Sequence, residues 1–288
     1  MPNDITNFVV EGYYDFQDIR ISNNNRIRGL IRSKIENIPH NKIEDKKTHK
    51  DFIEMYEDRT IKEMVDYAMN LMNEEEQNYL NRVINASNLI NQTENEFKKL
   101  MNEYLSNEPI WTGWLANIKG ISGVLGGNLM HLFGYGERFD NIGKIWAYSG
   151  YSVNNGLAPK RKKGELVNWN PKARKLGYKI SDSFIKQRTP IYRDIYDSEK
   201  ELQLLRKYKK GELMKKYGKP YKKEDTHLSK GHADMRARRK MVKLFLSHYW
   251  QVGRTMKGLP ITKPYPIAKL EGHTSMINPP NFAKPRGE

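Results

Sequence analysis

The chain has 288 residues, 38% of them apolar and 29% charged, with a formal net charge of +16. That length sustains one large domain or two ordinary ones, and 17 Tyr, 9 Phe and 5 Trp argue against a merely solvated polyelectrolyte. There is no cysteine, which excludes disulfides, thiolate metal sites and cysteine nucleophiles, and no run approaches the roughly 20 apolar residues of a membrane helix.

Residues 1–13 show no basic stretch leading into an apolar one, so no signal peptide is expected, and they read as extended or loosely ordered. From residue 16 to about 38, Ile19, Ile21, Ile27, Leu30, Ile31 and Ile35 predict a helix interrupted at 22–25 and stopped by Pro39. Two helices with clearer periodicity follow. In the first, Phe52, Met55, Tyr56, Ile61, Met64, Val65, Ala68, Leu71 and Met72 recur at spacings of three and four. Asn73 with Glu76 forms a capping-box pattern that starts the second, which runs from about 74 to 106, roughly 48 Å. The pair predicts a long helical hairpin, packed within the chain or, through residues 50–106, against a second copy.

Pro109 marks a boundary. A Gly-rich stretch at 111–134 predicts a helix, a tight glycine turn and a second helix, whereas 155–225 is the most basic and least periodic part. A last helix is expected from about 230 to 256, then a Pro-rich, extended tail at 258–288. The expected fold is mainly α. It divides into an acidic, coiled-coil-like helical region at 1–108, a basic helical domain at 109–257 and the tail.

The charge divides along the same line. Residues 1–108 hold 14 Lys/Arg and 20 Asp/Glu, a net of −6, which leaves 36 and 14, a net of +22, for residues 109–288. One region is built to meet a polyanion and the other is not. Within the basic region, Ile118, Lys119, Gly120, Ile121, Ser122 and Gly123 have the form of a helix-hairpin-helix turn. There the glycines permit the turn, and main-chain amides at the start of the second helix face a phosphate without reading sequence.

The motifs WLANIKGISG at 114–123, RFDNIGKIWAYSG at 138–150 and GLAP at 156–159 extend this pattern. Together they resemble the C-terminal domain of the DEDD/serine insertion-sequence transposases of bacteria and archaea, regarded as bridge-RNA-guided recombinases. The resemblance covers about 110–165, fades across 166–228 and returns weakly in ARRKMVKLFL at 237–246. It implies a DNA-binding scaffold from a mobile element. In the family a nuclease-like domain with four acidic residues precedes this region, and a serine nucleophile follows the proline. Here residues 1–108 read as helical, and Pro159 leads into Lys160, Arg161, Lys162 and Lys163 instead. Ser149 and Ser152 are the weak catalytic candidates, since neither has an identifiable base.

Lys160, Arg161, Lys162 and Lys163, followed by Trp169, Lys172, Arg174, Lys175 and Tyr178, interleave cations with aromatic rings as a phosphate-tracking groove does. A second basic cluster at 206–223 suggests a flexible insertion ordered by its ligand. On the last helix His232, Arg236, Arg239, Lys240 and Lys243 share one face, with Met235, Val242, Phe245, Leu246 and Tyr249 on much of the remainder. The seven histidines lack zinc-site spacing. Asp182, Asp194, Asp197 and Glu199 are expected to pair with neighbouring cations rather than hold magnesium, so no metal or cofactor is expected. The resulting expectation is a non-catalytic, largely sequence-independent DNA-binding protein derived from a transposase. Its alternatives are a divergent transposase or recombinase, or an RNA-binding partner of a mobile element. Duplex DNA is the first expected partner and structured RNA the second. The expected location is cytoplasmic, on nucleoid, viral or mobile-element DNA, with no membrane association.

Overall fold

Asn73 caps the longest helix as its sequence requires: its Oδ1 accepts from the Glu76 amide at 2.9 Å, and its own amide donates to the Glu76 carboxylate at 3.2 Å. This reciprocal bond satisfies two amides at the helix start. In the computed structural model, which describes residues 4–35, 61–153, 157–161, 163–217, 225–262 and 277–282, the fold is mainly α, with no β-strand among those residues. The helices are α1 (Asp4–Ile35), α2 (Ile61–Met69), α3 (Glu74–Ser106), α4 (Pro109–Gly113) and α5 (Gly123–Phe133). There follow α6 (Ile142–Tyr148), α7 (Pro171–Gln187), α8 (Tyr192–Leu205), α9 (Glu212–Tyr217) and α10 (Lys230–Met256). No helix among the described residues is long and apolar enough to cross a membrane.

The chain forms two compact units, Phe8–Leu100 on one side and Met1–Asn7 with Met101–Glu288 on the other. In the first, Ile27, Ile31, Met64, Ala68, Met72 and Leu80 make the core. The helical hairpin there differs from the expected one. The long partner of α3 is α1, and α2 is described over Ile61–Met69; the predicted stretch from 52 to 60 lies outside the described residues. Phe16 stacks on Phe97, Arg20 pairs with Glu94, Asn24 accepts from Ser87, and Lys34 pairs with Glu76. Those partners run in opposite directions along the sequence, so α1 and α3 are antiparallel. Residues 4–13 are helical rather than extended, and Val9, Val10 and Tyr13 among them are buried. The Asn-rich interruption is absent because Asn24 spends its side chain on Ser87, 3.0 Å away, instead of on its own backbone.

The second unit is organised on α10, whose 27 residues match the expected bounds. Ser229 caps it, and it packs against α4, α6, α7 and α8. Its C-terminal half is buried nearly all round: Phe245, Tyr249, Trp250 and Val252 join Trp114, Phe133, Phe184 and Tyr192 in an aromatic core. The polar tips in that core are satisfied. The Tyr249 hydroxyl donates to the Gly134 carbonyl at 2.5 Å and Trp250 Nε1 to the Phe139 carbonyl at 2.8 Å. Gly253 is required where the backbone of Tyr135 crosses, because a Cβ there would lie 2.7 Å from the Tyr135 oxygen.

One expectation for this unit needs correction. Residues 155–225, expected to be the least periodic part, supply α7, α8 and α9. Ala173, Leu176, Ile180 and Phe184 bury the inner stripe of α7, and Asn170 caps it ahead of Pro171. Part of the tail is also tied down. Trp114 Nε1 donates to the Pro280 carbonyl at 2.8 Å, and His248 Nε2 donates to the Ile277 carbonyl at 2.8 Å. A carbonyl only accepts, so Nε2 carries the proton and Nδ1 accepts from the Tyr192 hydroxyl at 2.9 Å.

Candidate nucleic-acid interface

The glycine turn forms, but its first arm is the five-residue α4 and a 3-10 turn at Leu115–Asn117 rather than a full helix. Gly120 takes φ +91°, which L side chains rarely adopt. Its carbonyl accepts from Ser183 Oγ at 2.6 Å and that of Lys119 accepts from Thr189 Oγ1 at 2.8 Å, so α7 and the residues after it hold the turn. Ser122 caps α5 by accepting from the Leu125 amide, and Ile121 is buried. Lys119 and Ser122 are exposed, whereas Gly123 lies close against the Asn102 side chain.

The larger basic feature lies elsewhere in the same unit. A cleft of about 1000 Å³ is lined by Trp146, Tyr151, Val153 and residues 158–160, by α7 and α8, by one face of α10 from Gly231 to Gln251, and by Tyr217 and Ile277. It gathers Lys160, Arg174, Arg236, Arg239, Lys240 and Lys243, which lie on three separate stretches of sequence. Sequence reasoning did not single out Arg238, Trp146 or Tyr151, which also line it. Lys119, Gly120, Ile121, Ser122, Gly123, Arg161, Lys163, Lys172 and Lys175 are not part of its wall, and Lys162 lies outside the described residues.

The charges in the cleft are unequally matched. Lys240 donates to Glu199 at 2.6 Å, and Arg238 donates to Asp234 at 2.8 Å with Asp182 3.6 Å away. Glu199 is the only carboxylate of the lining among the described residues. Among the described residues, no carboxylate pairs with Lys160, Arg174, Arg236, Arg239 or Lys243. Three of these spend hydrogen bonds on neutral oxygens instead. Arg174 donates to the Pro159 carbonyl at 2.9 Å, Arg236 to the Tyr208 hydroxyl at 2.9 Å and Arg239 to the Ser152 carbonyl at 3.4 Å. The Lys243 ammonium sits 3.9 Å from the centre of the Trp146 ring, whose Nε1 donates to the Lys243 carbonyl at 3.1 Å.

Burial and like charge act on the same groups. Lys243 is lowered to about 8, first by burial and then by Arg239. Arg239 is lowered by burial and by Arg174 and Arg236, and His232 by burial and by Arg236 and Lys160. Burial pushes the Tyr151 hydroxyl up to about 12, although Arg174 and Arg239 pull it down. Burial is the first cause of each shift, and for Lys243, Arg239 and His232 the neighbouring positive charges act in the same direction.

The other acidic and hydroxyl candidates are accounted for. Asp182 pairs with Lys186 at 2.8 Å, Asp197 with Arg193 at 2.6 Å, and Asp194 accepts from the Ile191 amide at 3.2 Å. Ser149 is fully buried at the end of α6, outside the cleft wall, and its hydroxyl finds no partner among the described residues. Ser152 is half-buried, with its carbonyl taken by Arg239. In the basic cluster after Arg206, Leu213 of α9 packs with Tyr208 and Leu228, and 218–224 lie outside the described residues. No protein-family model, curated protein or solved structure matches the chain.

Proposed function

We propose that this chain binds nucleic acid without cutting it, through the basic cleft along α10, on a scaffold related to the transposase domain it resembles. One observation carries the reading: five cations with no carboxylate partner among the described residues converge on one cleft that also presents aromatic rings. Phosphates supply the missing counter-charge, and rings beside them accept bases. The motif segments at 138–150 and 156–159 contribute Trp146, Ala158 and Pro159 to the wall, so the resemblance and the charge fall on one surface. Ser149, sealed in the interior, is not placed to attack a phosphodiester.

Fluorescence anisotropy with labelled duplex DNA and structured RNA across a salt series tests this. Neutralising about five phosphates gives a log–log slope of roughly −3.5 to −4.5. The triple substitution Arg174→Ala, Arg236→Ala, Arg239→Ala is expected to flatten that slope by two to three. A slope near zero, or a triple variant that binds like the parent, overturns the reading. Competition between the two polymers assigns the preferred one.

A further inference from the structure

The cleft's dimensions say more about the ligand than its charge does. Its wall follows α10 from Gly231 to Gln251, roughly 30 Å at the helical rise. A recess of about 1000 Å³ along that length is lined on more than one side by residues of α7, α8 and α10, whereas a duplex presents its two backbones on a broad convex surface. One unpaired strand fits, and a length of roughly 30 Å matches the site sizes of about 4–16 nucleotides typical of single-strand grooves.

The placement of the unmatched cations agrees with the dimensions. Lys243 and Arg239 are largely buried, Lys243 against the Trp146 face and Arg239 beside Tyr151. Phosphates held on the outside of a rigid duplex meet exposed lysines more easily than such recessed groups. At the rim Tyr178 is 49% exposed, with the Arg238 guanidinium 5.2 Å from its ring centre, so a base can stack on the ring beside a positive charge.

We propose that the recessed part of the cleft, formed by Arg174, Arg239, Lys243, Trp146 and Tyr151, seats the backbone of an unpaired strand, so that the chain prefers single-stranded extensions to uninterrupted duplex. The inference rests on the nucleic-acid reading above. It is tested with the full chain and three labelled probes: a blunt 20-base-pair duplex, the same duplex with an eight-nucleotide single-stranded extension, and the eight-nucleotide strand alone, each as DNA and as RNA. The extended duplex is expected to bind at least tenfold tighter than the blunt one. Arg239→Ala and Lys243→Met should each weaken binding of the extended duplex several-fold more than binding of the blunt one, so that most of the preference is lost. The conservative Arg239→Lys should keep part of it, and circular dichroism shows whether each variant is folded. If the blunt duplex binds as well as the extended one, or if the variants weaken both in parallel, the single-strand subsite is overturned and the nucleic-acid reading stands. If no probe binds with a salt-dependent affinity, the nucleic-acid reading fails as well.

Discussion

Replacing Lys243 by methionine separates a binding group from a packing group, because the two roles move stability in opposite directions. Methionine keeps much of the apolar stem over Trp146 but removes the ammonium. The fall of Lys243 from 10.5 to about 8 corresponds, at about 1.36 kcal/mol per pKa unit, to about 3 kcal/mol of penalty for charging it in the folded protein. Loss of the cation–π contact with Trp146 gives back roughly 1–2 kcal/mol, so the net expectation at pH 7 is a gain of about 1–2 kcal/mol.

The pH dependence makes this specific. A lysine depressed in the folded state binds its proton more readily when the chain is unfolded, so between about 8 and 10.5 the parent gains stability as pH rises. Below about 8 the penalty is fully present, and above the ordinary lysine value it is gone. Lys243→Met should therefore be more stable than the parent in urea denaturation at pH 7, with the difference fading towards pH 10. It should also bind nucleic acid more weakly. A variant destabilised by more than about 1 kcal/mol, with binding unchanged, would show that Lys243 is a packing residue and refute the reasoning.

The same arithmetic applies to His248, which burial lowers to about 4. Stability is full above about 6.5 and is lost as pH falls towards 4, by at most about 3 kcal/mol, and His248→Gln, which still can donate to Ile277 and accept from Tyr192, should flatten that limb of the denaturation profile. Gly120→Ala places a Cβ at φ +91° and 3.1–3.3 Å from Ser183, Thr189 and Phe184, so calorimetry should show a loss of about 1–3 kcal/mol. Gly253→Ala meets backbone rather than a movable side chain and should cost more than Gly120→Ala; equal stability of the two would show that α10 can shift away from Tyr135. Because free Lys243 loses its proton above about 8, affinity for the extended probe should fall as pH is raised from 7 to 9, and a flat profile in that range would remove Lys243 from the contact.

The elements whose signals are local were legible in the sequence. α3 and α10 carry their own caps and a sustained helical period, and both end where the pattern predicts. The basic face of α10 was legible for the same reason, since 236, 239, 240 and 243 are neighbours at 3.6 residues per turn. Pairings across the chain were not. Nothing local says that Asn24 will bond Ser87, 63 residues away, yet that bond accompanies an unbroken helix through an apparent interruption. Lys160 and Arg174 likewise look no different in sequence from Arg161 and Lys175, and only the fold puts the first two in the cleft and leaves the others outside it. The stripe of α7 was a missed local signal, masked by the Lys and Arg residues on its outer face.

The same helix explains why a cleft with so little internal counter-charge can persist. Left to themselves, Arg174, Arg236, Arg239 and Lys243 repel one another and would move apart or into water. They do not, because α10 is anchored one to four turns further on by groups that have no other place to go. Tyr249 and Trp250 are fully buried and bonded to Gly134 and Phe139, and His248 is bonded to both Tyr192 and Ile277. Arg254 holds the far end through the Gly136 and Phe139 carbonyls, each at 3.2 Å. A core this well satisfied offsets a local charge conflict of a few kcal/mol, and such conflicts survive in folded proteins where a ligand relieves them. On the proposed function, the cost falls on the free protein, and a phosphate entering the cleft would recover it as binding energy.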